Sequence, residues 1–253
     1  MEALTIITAA EDAGRLDAFD EATLDVWPEF MLNSPVSFRL WQRLNLDFPD
    51  YQFLLLDGDE QPVALGNSIP FRYDNTLEEL PAEGWDWVFT KGFDDFAAGR
   101  EPNMVSALSI KVAADHQRRG YSRGAVRAMR QIAASHGFET LVAPVRPSLK
   151  PRYPLIPAEQ YARWLRDDGL PFDPWLRVHV RLGGEIAHVC ARSMRITGTV
   201  AQWEGWTGLA MPETGRYVVE GALAPVDIDR ERDEGVYVEP NVWTVHRPTG
   251  HNP

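Results

Sequence analysis

The stretch MVSALSIKVAADHQRRGYSRGAVRAMRQIAASHG, from Met104 to Gly137, decides the fold, because a strand, a basic loop and a helix follow one another in it without interruption. Leu108, Ile110 and Val112 alternate with Ser109 and Lys111, the period-two signature of a strand. Val126, Met129, Ile132 and Ala133 then recur at helical spacing, and Gly137 supplies a stop. Gln117-Arg-Arg-Gly-Tyr-Ser122 joins the two. A strand that delivers a glycine-containing loop to a helix entrance gathers free N–H groups and the positive end of a dipole at one point. That is a site for a phosphate or pyrophosphate.

Two motifs fit these residues and imply different chemistry. Gln117-Arg118-Arg119-Gly120-Tyr121-Ser122 resembles the Q/R-x-x-G-x-G/A loop of the GNAT acyltransferase superfamily, with Ser122 in place of the usual last small residue. Gly120-Tyr-Ser-Arg-Gly124 also matches the G-x-S-x-G nucleophile elbow of α/β-hydrolases, which would make Ser122 a nucleophile with His246 as a partner. An elbow serine follows a buried strand directly, whereas here the polar Ala114-Asp-His-Gln-Arg-Arg119 intervenes, and no His-Gly-Gly-Gly segment precedes it. The acyl-CoA loop is therefore preferred.

The elements before the loop extend the resemblance. Ala3 to Thr8 reads as a strand; Glu11 to Leu32 is helical with an interruption at Pro28; Ser34-Pro35 starts a second helix with Phe38, Trp41 and Leu44 on one face. Tyr51–Leu56 and Pro62–Tyr73 flank Asp57-Gly-Asp-Glu-Gln61 as a hairpin. Strand, two helices and hairpin are the order in which the GNAT fold opens. The resemblance thus implies an α/β (α+β) fold: a mixed, mostly antiparallel central sheet flanked by helices, with insertions. The preferred parse is one elaborated domain over 1–253, divided into 1–74, an aromatic-rich insertion at 75–102, an acyl-CoA-binding core at 103–192 and C-terminal strands at 193–253. Trp85, Phe89, Phe93 and Phe96 of the insertion either pack in the core or wall an acceptor pocket.

Beyond the central helix, Glu139 to Ala143 is a short strand ended by Pro144, and the proline-rich loop to Pro157 carries Arg146, Lys150 and Tyr153 in a stiff setting suited to lining a site. Pro157–Arg166 reads as a helix. Asp173-Pro174 opens another, which ends at Gly183. There Val178-His179 takes the place of the family's aromatic pair, so the resemblance offers His179 as the acid that meets the departing thiolate. Glu185–Ala191, Tyr217–Ile228 and Val236–His246 are extended, and Pro248–Pro253 reads as a frayed tail.

Composition narrows the partners. The chain has 253 residues, 44% hydrophobic and 25% charged, with a formal net charge of −12. That balance disfavours nucleic acid and suits a cationic or amine acceptor. Arg118, Arg119, Arg123, Arg127 and Arg130 form a basic cluster against this background. The lone Cys190 excludes an internal disulfide and a multi-cysteine zinc site, and no metal is expected. No basic leader or long apolar run marks the N-terminus, so a cytoplasmic protein without a membrane partner is expected; a homodimer is compatible with the sequence.

The resemblance implies acetyl-CoA as co-substrate. Its diphosphate would lie on Gln117, Arg118, Arg119, Gly120, Tyr121, Ser122 and Arg123, and its pantetheine beside the backbone of Ile110, Lys111 and Val112, in a cleft left where the central strand splays from the next. An amine would attack the acetyl carbonyl directly. Glu101, Asp94 and Asp95 are available as bases. A noncatalytic acyl-CoA-binding module that kept the loop and lost the acid–base groups is the remaining alternative.

Overall fold

A computed structural model describes residues 4–247. The chain runs through β1 (Thr5–Thr8), α1 (Ala9–Ala22), α2 (Glu29–Leu32), α3 (Pro35–Leu40), α4 (Leu44–Asp47), β2 (Gln52–Leu56), β3 (Pro62–Phe71), α5 (Gly84–Ala97), β4 (Met104–Val112), α6 (Tyr121–Ser135), β5 (Leu141–Val145), α7 (Ala158–Tyr161), α8 (Pro174–Arg181), β6 (Glu185–Gly198), α9 (Val200–Thr207), β7 (Gly215–Tyr217), β8 (Val226–Asp229) and β9 (Glu234–His246). Among the described residues these strands form one nine-stranded sheet in the order β1-β2-β3-β4-β5-β9-β8-β7, with β6 on the other edge of β9. Every pairing is antiparallel except β4 with β5.

Alternation along the strands divides the core between the two faces. Phe53, Leu55, Val105 and Leu141 point to the face covered by α6, through Ala125, Met129 and Ile132. Leu54, Leu56 and Leu65 face α1, and Ile69, Phe71 and Leu108 share a cluster with Trp85 and Phe89 of α5. Ala143, Val145 and Val242 receive Leu176 of α8 on the α6 side. Two helices thus cover the face bearing the basic loop, and the N-terminal helices with α5 cover the other. The stretch 75–102, read as an insertion, is a core element: Trp85, Phe89 and Phe93 are buried, while Phe96 is about half exposed.

Five expectations change. Tyr217–Ile228, expected as one extended segment, holds only the end of β7 and the start of β8, with turns between them. Phe38 is 90% exposed rather than part of an apolar face, because α3 buries Leu40 instead. The helix expected over Pro157–Arg166 is the single turn of α7, followed by an isolated bridge between Leu165 and Pro171. β6 continues to Gly198, well past Ala191, by bulging between Cys190 and Met194. Pro144 lies inside β5 rather than ending it. β4 has already left that edge, so the missing N–H costs no ladder bond there. The tail read at Pro248–Pro253 falls outside the described residues.

Asp173 holds the proline-rich loop to α8. Its carboxylate accepts from Trp175 N (2.9 Å) and Leu176 N (3.1 Å) as a helix cap, from Ser148 N (3.3 Å) and Leu149 N (2.8 Å) in the loop, and from the Tyr161 hydroxyl (2.9 Å). Asp173→Ala strands these donors in a site where Asp173 is only 2% exposed. A loss of about 3–5 kcal/mol in urea unfolding is expected, with Asp173→Asn losing less because it keeps an acceptor oxygen.

Candidate active site

The two central strands separate almost as soon as they meet. β4 and β5 pair only at Val105↔Leu141 and Ser106↔Val142, although β4 continues to Val112 and β5 to Val145. Two parallel strands pointing the same way and diverging leave a V-shaped split, open toward the basic loop. On its other edge β4 shifts register between Asn67 and Ser68 of β3, which pair with Ser109 and Ala107 and leave Leu108 unpaired. The Leu108 carbonyl instead accepts from the Trp85 indole N–H at 2.8 Å. The bulge lies two residues past the last β5 pair, at the apex of the split, where it breaks the ladder and re-aims backbone groups.

The basic loop closes the wide end. A 3₁₀ turn, Ala114–His116, is followed by Arg118 at φ 64° and Gly120 at φ 90°, and α6 begins at Tyr121. The N–H groups of Arg118, Arg119, Gly120, Tyr121 and Ser122 find no acceptor among the described residues, whereas those of Gln117, Arg123 and Gly124 are used locally. Five successive free donors at a helix entrance, in a turn bent by two left-handed residues, form an anion nest. Arg118, Arg119 and Arg123 are exposed, and none has a carboxylate partner among the described residues. Unneutralised cations around free N–H groups on an acidic protein fit a diphosphate. Gly124, the second glycine of the elbow match, has a packing reason: a Cβ there would come within 2.6 Å of Leu4 Cδ1.

The expected site residues divide accordingly. Ile110 and Val112 are half-buried on the α6 face, inside the split. The Lys111 side chain points the other way, is 2% exposed, and is committed to an ion pair with Asp20 of α1 and to the Asp20 carbonyl at 3.0 Å. Only its backbone borders the cleft. Gln117 spends its N–H on Ala114 O. Ser122 has no hydrogen bond to His246, whose ring lies near Arg130, eight residues and about 12 Å further along α6; no serine triad is assembled. Of the proposed bases, Asp95 is buried in contacts with Lys91, Arg100 and the Arg72 N–H, Asp94 is exposed on α5, and Glu101 lines a cavity of about 710 Å³ at the opposite end of β4, with Tyr51, His136 and Glu139.

His179 is 3% exposed, and its Nδ1 is 2.9 Å from Nε2 of His246. His246 pairs with Leu141, so the two rings lie at the closed end of the split, where β4 and β5 are still joined. Burial pushes the pKa of His179 down to about 3, with His246 adding to the effect; burial and the charge of Arg130 push His246 down to about 4. These shifts favour the neutral form of both rings, each of which keeps one N–H. The structure thus sets His179, expected as the general acid, against His246 at the closed end of the split.

On the opposite, α5 side, sequence reading named Arg146 and the aromatic residues but missed Glu239 and Asp86. Arg146 reaches Glu239 on β9, and Asp86 in the first turn of α5 accepts from Arg195 N at 2.8 Å while its Oδ1 is buried without a partner. Burial, outweighing the Arg195 hydrogen bond and reinforced by the charge of Glu239, raises the Asp86 pKa to about 7. These partners are separated by up to 109 residues, and no local pattern connects them.

No family model matches the chain. It is 36% identical over 249 residues to the arginine N-acetyltransferase avaD of Aspergillus versicolor, covering 87% of this chain and 85% of that protein. Its fold is similar to that of the loading GNATL domain of CurA from Lyngbya majuscula, with a TM-score of 0.62, 17% identity and 98% of each chain covered. The GphF GNAT-like decarboxylase, solved in complex with isobutyryl-CoA, is similar at a TM-score of 0.55 and 15% identity, with 97% of this chain and 99% of that one covered. The two fold neighbours speak for architecture alone; identity to the acetyltransferase speaks for kinship. No helix among the described residues is long and apolar enough to cross a membrane. With the split sheet, the anion nest and this relative together, the chain belongs to the GNAT superfamily, as an N-acetyltransferase that takes acetyl-CoA as co-substrate and an amine as acceptor.

Proposed function

We propose that the protein acetylates arginine or a closely similar cationic amino acid, with the diphosphate of the co-substrate held on the N–H groups of Arg118 to Ser122. The observation that carries the acceptor is the 36% identity, over 249 residues, to an arginine N-acetyltransferase. The net charge of −12 supports it, since an acidic protein draws a cation toward itself.

Acetyl-CoA supplies an activated acyl carbon, so the protein needs no nucleophile of its own. What the chain contributes is placement. Arg118, Arg119 and Arg123 neutralise phosphate charge, the free edges of β4 and β5 align an extended thioester arm, and the broken ladder at Leu108 leaves main-chain groups at the apex, where an oxyanion would need donors. Asp86 is the carboxylate on the acceptor side that can exchange a proton near neutral pH. A cytoplasmic setting and a homodimeric state belong to the same reading, the second supported by Phe38 and Leu46, which α3 and α4 leave exposed.

Thiol release from acetyl-CoA, followed by mass spectrometry, tests the proposal with arginine, agmatine, lysine, ornithine and a polyamine as acceptors. Acetylarginine as the preferred product is the expected outcome. Turnover confined to amines unrelated to arginine, or none at all, would refute it.

A further inference from the structure

An amino acid acceptor brings a carboxylate as well as a nitrogen, and one guanidinium is placed to meet it. Arg146 follows Val145, the last residue of β5, at the open end of the split. Its Nε donates to both oxygens of Glu239, at 3.1 and 2.9 Å, and its Nη2 donates to Gly221 O at 2.6 Å. Glu239 is fully buried and is held in turn by the Tyr237 hydroxyl at 2.9 Å and the Asn241 amide at 3.1 Å. Tyr237 is itself fixed, accepting from Leu223 N at 2.8 Å.

A guanidinium carries five N–H groups. Here, among the described residues, Nε and one N–H of Nη2 are spent on Glu239 and Gly221, and the Tyr237 hydroxyl also lies against the guanidinium, which leaves at most three N–H groups, and at least two, for a ligand. The side chain is 19% exposed, so this unmet edge is reachable. Tyr237 and Trp243 belong to the cluster of Trp85 and Leu108, and alternation puts Glu239 and Asn241 on that same side of β9. Arg146 is therefore drawn to the α5 face, opposite the phosphate nest, from which an acceptor can reach a thioester lying in the split. A buried ion pair is seldom a net source of stability, whereas a rigid guanidinium with a free edge matches a carboxylate.

We propose that Arg146, oriented by Glu239, binds the α-carboxylate of the acceptor and so selects amino acids over simple amines. This rests on the reading of the acceptor as an amino acid. The test compares kcat/KM for arginine and for agmatine, which lacks only the carboxylate. The wild-type protein should favour arginine, and Arg146→Gln should lower kcat/KM for arginine about 10–100-fold while leaving agmatine within a few-fold. Because Arg146→Gln leaves Glu239 buried without its cation, the double variant Arg146→Gln/Glu239→Gln restores a neutral hydrogen-bonded pair; it should show the same loss of discrimination with a Tm near wild type.

Equal losses on both substrates in a double variant of native Tm would overturn the proposal and leave Arg146 a staple between β5 and β9. An undiminished preference for arginine would overturn it as well. Should the wild type ignore arginine, the acceptor reading fails separately, and the ratio is taken for the amino acid that the acceptor panel returns and its decarboxylated amine. A panel returning only amines without a carboxylate overturns both.

Discussion

Gly120→Val is expected to raise KM for acetyl-CoA about 10–100-fold, leave KM for the amine unchanged and lower Tm by only a few degrees. Gly120 sits at φ 90°, where a β-branched residue is strained by roughly 1–2 kcal/mol. Nothing lies within 4 Å of a Cβ built there, so the substitution meets no clash inside the protein. What it disturbs is the turn that aims five N–H groups at one point, and the surface that a phosphate must approach. Hydrogen bonds from N–H to a charged group are worth about 1.5–3 kcal/mol each, and one or two lost account for the expected factor at about 1.4 kcal/mol per decade. Initial rates over a matrix of acetyl-CoA and amine concentrations separate the two constants. An unchanged KM for acetyl-CoA would show that the diphosphate lies elsewhere.

The second large effect is a dependence of stability on pH that originates in the histidine pair. His179 and His246 have pKa values of about 3 and about 4 in the folded protein, against an ordinary 6.5. A base whose folded pKa is depressed binds fewer protons folded than unfolded, so its stabilising effect is complete above 6.5 and is lost as pH falls toward the folded value. At about 1.4 kcal/mol per pKa unit, His246 alone accounts for roughly 3 kcal/mol across that window. Asp86 acts in the opposite sense, because its pKa rises from 3.8 to about 7 on folding and its destabilisation grows as pH increases between those values. The informative quantity is therefore a difference. Urea unfolding of wild type and of His179→Phe/His246→Leu, from pH 7 to pH 4.5, should converge as the wild type loses stability relative to the variant. Parallel profiles would mean that the pair titrates normally and is not sealed from water.

Much of this architecture could be read before any coordinates, and the reason is locality. The strand–loop–helix around Gly120 carries its alternation, its left-handed glycine and its helical stripe within one short stretch, and Asp173-Pro174 announces a capped helix by two adjacent residues. Pro144 misled because a proline inside a strand reads as a stop unless one knows that the neighbouring strand has gone. The neighbour of His179 was hidden for a different reason: motif position says nothing of His246, which the fold brings to it from 67 residues later. The Arg146–Glu239 contact, 93 residues apart, has no periodic signal at all. Sequence pattern reports what a residue does to its own backbone and says little about which distant side chain it will meet.

The narrow junction of β4 and β5 has a mechanical consequence. Above those two residue pairs the left and right halves of the sheet share no rung among the described residues, where helices and side chains bridge them. An extended molecule bearing amide groups, laid into that gap, would stand in for a strand and make the ladder continuous. Occupancy and rigidity are then the same variable, and the level of the acyl donor sets how firmly the two halves are clasped.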